Sequence, residues 1–158
     1  MEQKKSTLRV TCLKDAVELT PDIQGHFCEG KNALEEGKDQ ITAEDNRKLS
    51  GSVNIDLVTK DLYPRENRWD YVIEYGKTLH YVEVHSAYGQ GRIEEVKKKK
   101  EWLRSWLISH APDIYKLAPV PQIYWVATGR VDLGKVNFNS PQWRKHNIPK
   151  PVKYLILK

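Results

Sequence analysis

A mixed α/β fold, a small mixed sheet with helices packed on it, is predicted by three observations. Between Gly51 and Ala87, runs of β-branched and aromatic residues alternate with turn residues, the pattern of an antiparallel meander. From Arg92 to His110 the apolar period lengthens to that of a helix, with Ile93, Val96, Leu103 and Leu107 on one face and Pro112 beyond the end. A further apolar run, QIYWVATG, begins at Gln122. A strand reached through a helical crossover lies parallel to the strand before it. The predicted core order is helix, three strands, helix, strand.

Before the meander, LRVTCL alternates Leu8, Val10 and Cys12 and reads as a short strand. A helix is expected from Thr20, a good N-cap, with Pro21 at the first helical position. Its apolar face would hold Ile23, Phe27, Gly30 and Leu34, and Gly37 would end it. Thr42 to Leu49 suits a short helical turn. In GSVNIDLVT, Val53, Ile55 and Leu57 alternate with Asn54, Asp56 and Val58, the first strand of the meander. DLYPREN is a turn around Pro64, WDYVIEY the second strand, Gly76-Lys77 a tight connection and TLHYVEVHSA the third strand. The loop from Gly89 to Gly91 turns the chain into the long helix and lacks the spacing of a phosphate-binding fingerprint. The tail carries a helical turn in SPQWRKHN and a last strand in VKYLIL. All 158 residues fit one domain, with a core over about 20–130 and a C-terminal extension over 131–158.

The bulk properties exclude some classes. No apolar run approaches the ~20 residues of a membrane span, and MEQKKSTLRV lacks the apolar centre of a secretory signal. Cys12 and Cys28 are too few for a disulfide framework and form no CxxC pair. A reduced, cytoplasmic protein without a membrane partner is expected. The net charge of +5 favours a polyanionic partner only mildly.

The chemistry concentrates in RWDYVIEYGKTLHYVEVHSA, Arg68 to Ala87. Side chains alternate faces along a strand, so Leu79, Tyr81, Glu83 and His85 share one face of the third strand. A hairpin at Gly76-Lys77 brings Asp70 opposite or just beyond the Glu83–His85 end. Two carboxylates converging on one spot suit a hard divalent cation, Mg²⁺ or Mn²⁺, which takes oxygen ligands and retains waters. Asp56, placed on the polar side of the first strand, is a third candidate ligand. The lysine run at Lys97, Lys98 and Lys100 offers phosphate contacts beside such a site, and Lys97 or Lys100 can point back toward the sheet. Trp102 and Trp106, one helical turn apart, suit core packing.

This arrangement resembles the PD-(D/E)xK nuclease superfamily over about residues 20 to 130. The resemblance rests on the αβββαβ order, on Asp70 opening the second strand and on Glu83 inside the third. It implies a restriction-endonuclease-like core in which Asp70 and Glu83 bind metal and nucleic-acid phosphodiesters are hydrolysed; DNA is the expected partner ahead of RNA. The sequence departs from the family at the motif lysine, whose position is held by His85. An imidazole can accept a proton from water, bind a metal as a third ligand, or mark an altered activity. The alternative is therefore a module of the same fold that binds nucleic acid or a protein without cleaving. A homodimer or larger complex is compatible with either reading. A plain α/β domain with an unrelated small-molecule site ranks behind both.

Overall fold

The computed structural model describes residues 9–158. A six-stranded mixed sheet forms the centre, with helices on one face. Its strands are β1 (Cys28–Glu29), β3 (Leu49–Asn54), β4 (Tyr71–Tyr75), β5 (Thr78–Tyr88), β6 (Gln122–Asp132) and β7 (Pro151–Val152), and they lie side by side in that order. β1, β3, β4 and β5 pair antiparallel, whereas β5, β6 and β7 are parallel. A separate pair, β2 (Ile41–Ala43) and β8 (Leu155–Leu157), runs parallel.

The meander and the crossover form as the period of the sequence requires. Gly76-Lys77 closes the β4–β5 hairpin, and α3 (Arg92–Ser109) carries the chain over to β6. The sheet separates two cores. On the helical face, Leu79, Tyr81 and Val72 pack with Leu103, Trp106 and Leu107 of α3, with α1 (Leu13–Glu18), and with Ile114 of α4 (Pro112–Leu117). The same face continues into Ala87, Trp125 and Ala127 beneath Val96 and Trp143, the latter on α5 (Pro141–His146). On the other face, Tyr71, Ile73, Val82 and Val84 are covered by Leu34, Ile41, Leu155 and Leu157.

Four expectations are corrected. No helix spans Thr20 to Gly37; apart from the two-residue strand β1 the segment is turns and loop, with Gly25 at φ 82° and Gly37 at φ 71°. At Gly37 the backbone runs so close to β5 that a Cβ would stand 2.8 Å from Val84 Cγ2. The first helix instead occupies Leu13–Glu18, and residues 9–12 ahead of it form no strand where LRVTCL was expected to; Leu8 of that expected strand lies outside the described residues. Leu13, Ala16 and Val17 bury one helical stripe, and the Leu13 N–H is capped at 2.8 Å by Glu74 Oε2 from β4. Thr20 closes that helix rather than opening another, its hydroxyl donating to the Ala16 carbonyl.

The first strand of the meander stops at Asn54. The Asn54 side chain accepts the Leu57 N–H at 3.0 Å, and the chain turns into α2 (Ile55–Thr59). Asp56 therefore lies on a helix and not on a strand. Finally, the tail contributes two strands: β7 extends the central sheet beside β6, and β8 pairs with β2. The expected turn between Thr42 and Leu49 is present as a 3₁₀ turn, Asn46–Lys48. Among the described residues no helix is long and apolar enough to cross a membrane.

Candidate functional site: two carboxylates and a lysine beneath α3

Tyr71 pairs with Val82 across the β4–β5 hairpin, so Asp70, one residue ahead of β4, falls beside Glu83. The backbone fixes both carboxylates. The Asp70 N–H donates to Glu83 Oε2 at 3.2 Å, and the Val84 N–H donates to Asp70 Oδ2 at 2.9 Å. One oxygen of each remains, and Lys99 reaches down from α3 to both. Its Nζ lies 3.4 Å from Asp70 Oδ1 and in direct contact with Glu83 Oε1.

Glu83 is fully buried, and the side chains of Asp70 and Lys99 are 16% and 18% exposed. Burial therefore dominates the electrostatics. It pushes the Glu83 carboxyl well above its ordinary range, with repulsion from Asp70 acting in the same direction and Lys99 opposing. Asp70 is also raised by burial, against the pull of Lys99. Burial acts to lower Lys99, but attraction to Glu83 and Asp70 outweighs it and holds the ammonium above its usual value. One cation thus faces two carboxylates.

His85 stands on the same face of β5. Its Nε2 is 2.6 Å from Glu95 Oε2 on α3, and its Nδ1 is 3.8 Å from Glu83 Oε1. Glu95 is lowered chiefly by the hydrogen bond from His85, with Arg92 assisting at 3.1 Å. Asp70, Lys99, Glu83, His85, Glu95 and Arg92 form one continuous run of ionisable side chains.

The sequence-based assignments fare unevenly. Asp70, Glu83 and His85 come together as the hairpin register requires. Asp56 is turned to Arg68, with 2.9 Å between Oδ1 and Nε, and its charge reaches Asp70 only as repulsion. Neither Lys97 nor Lys100 points back to the carboxylates. Lys97 pairs with Glu94 at 3.5 Å, Lys98 is exposed, and the Lys100 ammonium donates to the Asn147 carbonyl on the opposite flank of α3. Lys99 is the residue that arrives, and neither it nor Glu95 was singled out. The apolar stripe of α3 skips a turn between Val96 and Leu103, a gap that positions 99 and 100 fill equally, so the sequence alone does not select Lys99.

Among the described residues no three His, Cys, Asp or Glu side chains are gathered closely enough to enclose a metal ion. What the site offers is narrower: two carboxylate oxygens converging on one point, already met by a cation. That geometry is compatible with a hard cation held by one or two carboxylates and otherwise by water. No family model matches the chain, and no curated protein or solved structure is similar enough to align with it.

Proposed function

We propose that this protein is a metal-dependent nuclease-like enzyme that hydrolyses nucleic-acid phosphodiesters, with DNA rather than RNA as the expected partner, on a restriction-endonuclease-like core. The observation that carries the reading is the convergence of Asp70, Glu83 and Lys99 from three different elements. A lysine beside two carboxylates is the set that the third strand alone lacks, and α3 supplies it. Asp70 and Glu83 would hold Mg²⁺ or Mn²⁺, which when bound lowers the pKa of water and offsets charge on a phosphoryl oxygen.

The chain's own groups have separable roles. Lys99 brings a fixed positive charge to the place where charge develops on the phosphate. Glu95 holds His85 through Nε2–H, which leaves the Nδ1 lone pair as a proton acceptor on the Glu83 side. Hydrolysis forms one P–O bond from water and breaks one P–O ester bond, the attacking water's proton passing to the base and the leaving oxygen taking up a proton from solvent to depart as the alcohol.

A competing reading, a module of the same fold that does not cleave, is favoured by the complete burial of Glu83. Metal dependence separates them. Mn²⁺ is titrated into wild type, Asp70→Asn, Glu83→Gln and Lys99→Met by calorimetry, with circular dichroism to confirm folding. The same proteins are incubated with plasmid, single-stranded DNA and RNA, with and without chelator. The expected result is chelator-sensitive cutting that falls at least about 100-fold in Glu83→Gln and in Lys99→Met. Folded wild type that neither binds Mn²⁺ nor cuts any of the three substrates overturns the enzymatic reading.

A further inference from the structure

On the far flank of α3 from the carboxylates, two adjoining cavities of about 390 and 400 Å³ form one groove. They share Lys100, Pro121, Ile123 and Asn147. The floor is apolar, made by Leu103 and Leu107 of α3 and by Ile123 at the start of β6, with the Tyr115 ring beside them. The charged groups are Lys100, Arg104 and Arg144, and no Asp or Glu lines either cavity. Among the described residues none of these three cations has a carboxylate within 4.0 Å.

Lys100 and Arg104 are neighbours one helical turn apart, where like charges repel. Burial, and secondarily Arg104, hold the Lys100 ammonium below its ordinary value. Arg144 approaches from α5, whose last turn is Arg144, Lys145 and His146. The charge of the whole chain points the same way. Residues 133–158 hold six of the 26 Lys and Arg and none of the 21 Asp and Glu, so the preceding 132 residues sum to −1. The positive balance of this protein is the property of its last segment, and α5 of that segment forms one wall of the groove.

We infer that this groove binds a single strand of nucleic acid, its phosphates on Lys100, Arg104 and Arg144 and a base against Tyr115 and the apolar floor. Guanidinium forks match phosphate geometry, and an aromatic ring beside apolar side chains accepts any base by its face. An acidic peptide would satisfy the cations but leave that floor uncovered. The preference for nucleic acid over another polyanion rests on the phosphodiester reading of the carboxylate site, one residue away along α3 at Lys99.

Fluorescence anisotropy of a labelled oligothymidylate, recorded in EDTA so that no cutting intervenes, tests the groove separately from cleavage. Wild type is compared with the double variant Arg104→Ala/Arg144→Ala and with the control Lys153→Ala. Both arginines are exposed, and thermal melts check that the variants fold. The expected outcome is binding that weakens with salt, a loss of about tenfold or more in the double variant, a slope of log affinity on log salt shallower by about 1.4, and less than about twofold change in the control. Unchanged binding by the double variant overturns the proposal, as does an oligoglutamate that competes as well as the oligonucleotide. Binding that survives where no cutting is found leaves this inference standing and removes only the enzymatic reading.

Discussion

Lys99 and Lys100 are adjacent in sequence and identical in chemistry, yet they serve opposite sides of α3. On the β4 side, Lys99 enters a buried pocket of carboxylates; Asp70, Glu83 and Glu95 outnumber the cations there. On the β6 side, Lys100 joins Arg104 and Arg144 with no carboxylate in reach. The first environment is a cluster that needs more positive charge, and the second is one that needs negative charge. A helix that crosses a sheet over β5 and β6 separates the two, and the 100° turn between consecutive residues assigns each lysine to its side. The two flanks differ in energetics as well. Charges buried against each other are strongly interdependent, whereas exposed cations contribute little to stability.

The largest effect on folding should come from breaking the buried side. Lys99→Met leaves two carboxylates together without a cation, and a loss of about 3–5 kcal/mol is expected, read by urea denaturation at pH 7. Adding Asp70→Asn and Glu83→Gln to that variant removes the orphaned charges, and most of the loss should return. A triple variant as unstable as Lys99→Met alone would show that the lysine acts through packing of its stem and not through charge.

A pH series sharpens the same point. Glu83 and Asp70 titrate above their ordinary values of 4.5 and 3.8 in the folded chain. Between those values and the raised ones the folded state binds more protons than the unfolded state. The stability they contribute is therefore present in full below the ordinary values and is lost as pH rises through the raised ones. Wild type should gain stability as pH falls through the raised values toward 4.5, relative to Glu83→Gln, whose profile should be flatter over the same range. An identical slope for the two proteins would remove Glu83 as the titrating group.

On activity, Glu95→Gln should weaken the hold on His85 while sparing the metal-binding pair. A modest loss of about tenfold in cutting is expected. In a His85→Ala background the same substitution should cost nothing further. The smallest effect belongs to the groove: Arg104→Ala and Arg144→Ala should each change folding stability by no more than about 0.5 kcal/mol, measured in the same urea titrations. A large destabilisation from either would mean that the groove is part of the fold's support.

Legibility in the sequence followed the range of the interactions concerned. Period-two alternation and the Gly76-Lys77 turn are local, and they fixed the β4–β5 register closely enough to bring Asp70, Glu83 and His85 together. The crossover helix and the parallel β6 followed from a change of period. The first forty residues misled because their determinants are distant. The cap of α1 is Glu74, 61 residues away, and Gly37 is required by the approach of Val84 from another element. The strand ending at Asn54 misled for a local reason, since a side-chain cap competed successfully with an alternating pattern that would have continued through Leu57.

By itself, then, the sequence determined the sheet's central meander, the helical crossover and the pairing of two acids with a histidine, because alternation, turn chemistry and helical period act within a few residues. Only the tertiary structure decided which of four consecutive lysines completes that site and which face away from it. Four identical side chains carry no period, and rotation about the helix axis acquires meaning only once α3 is laid across β5 and β6.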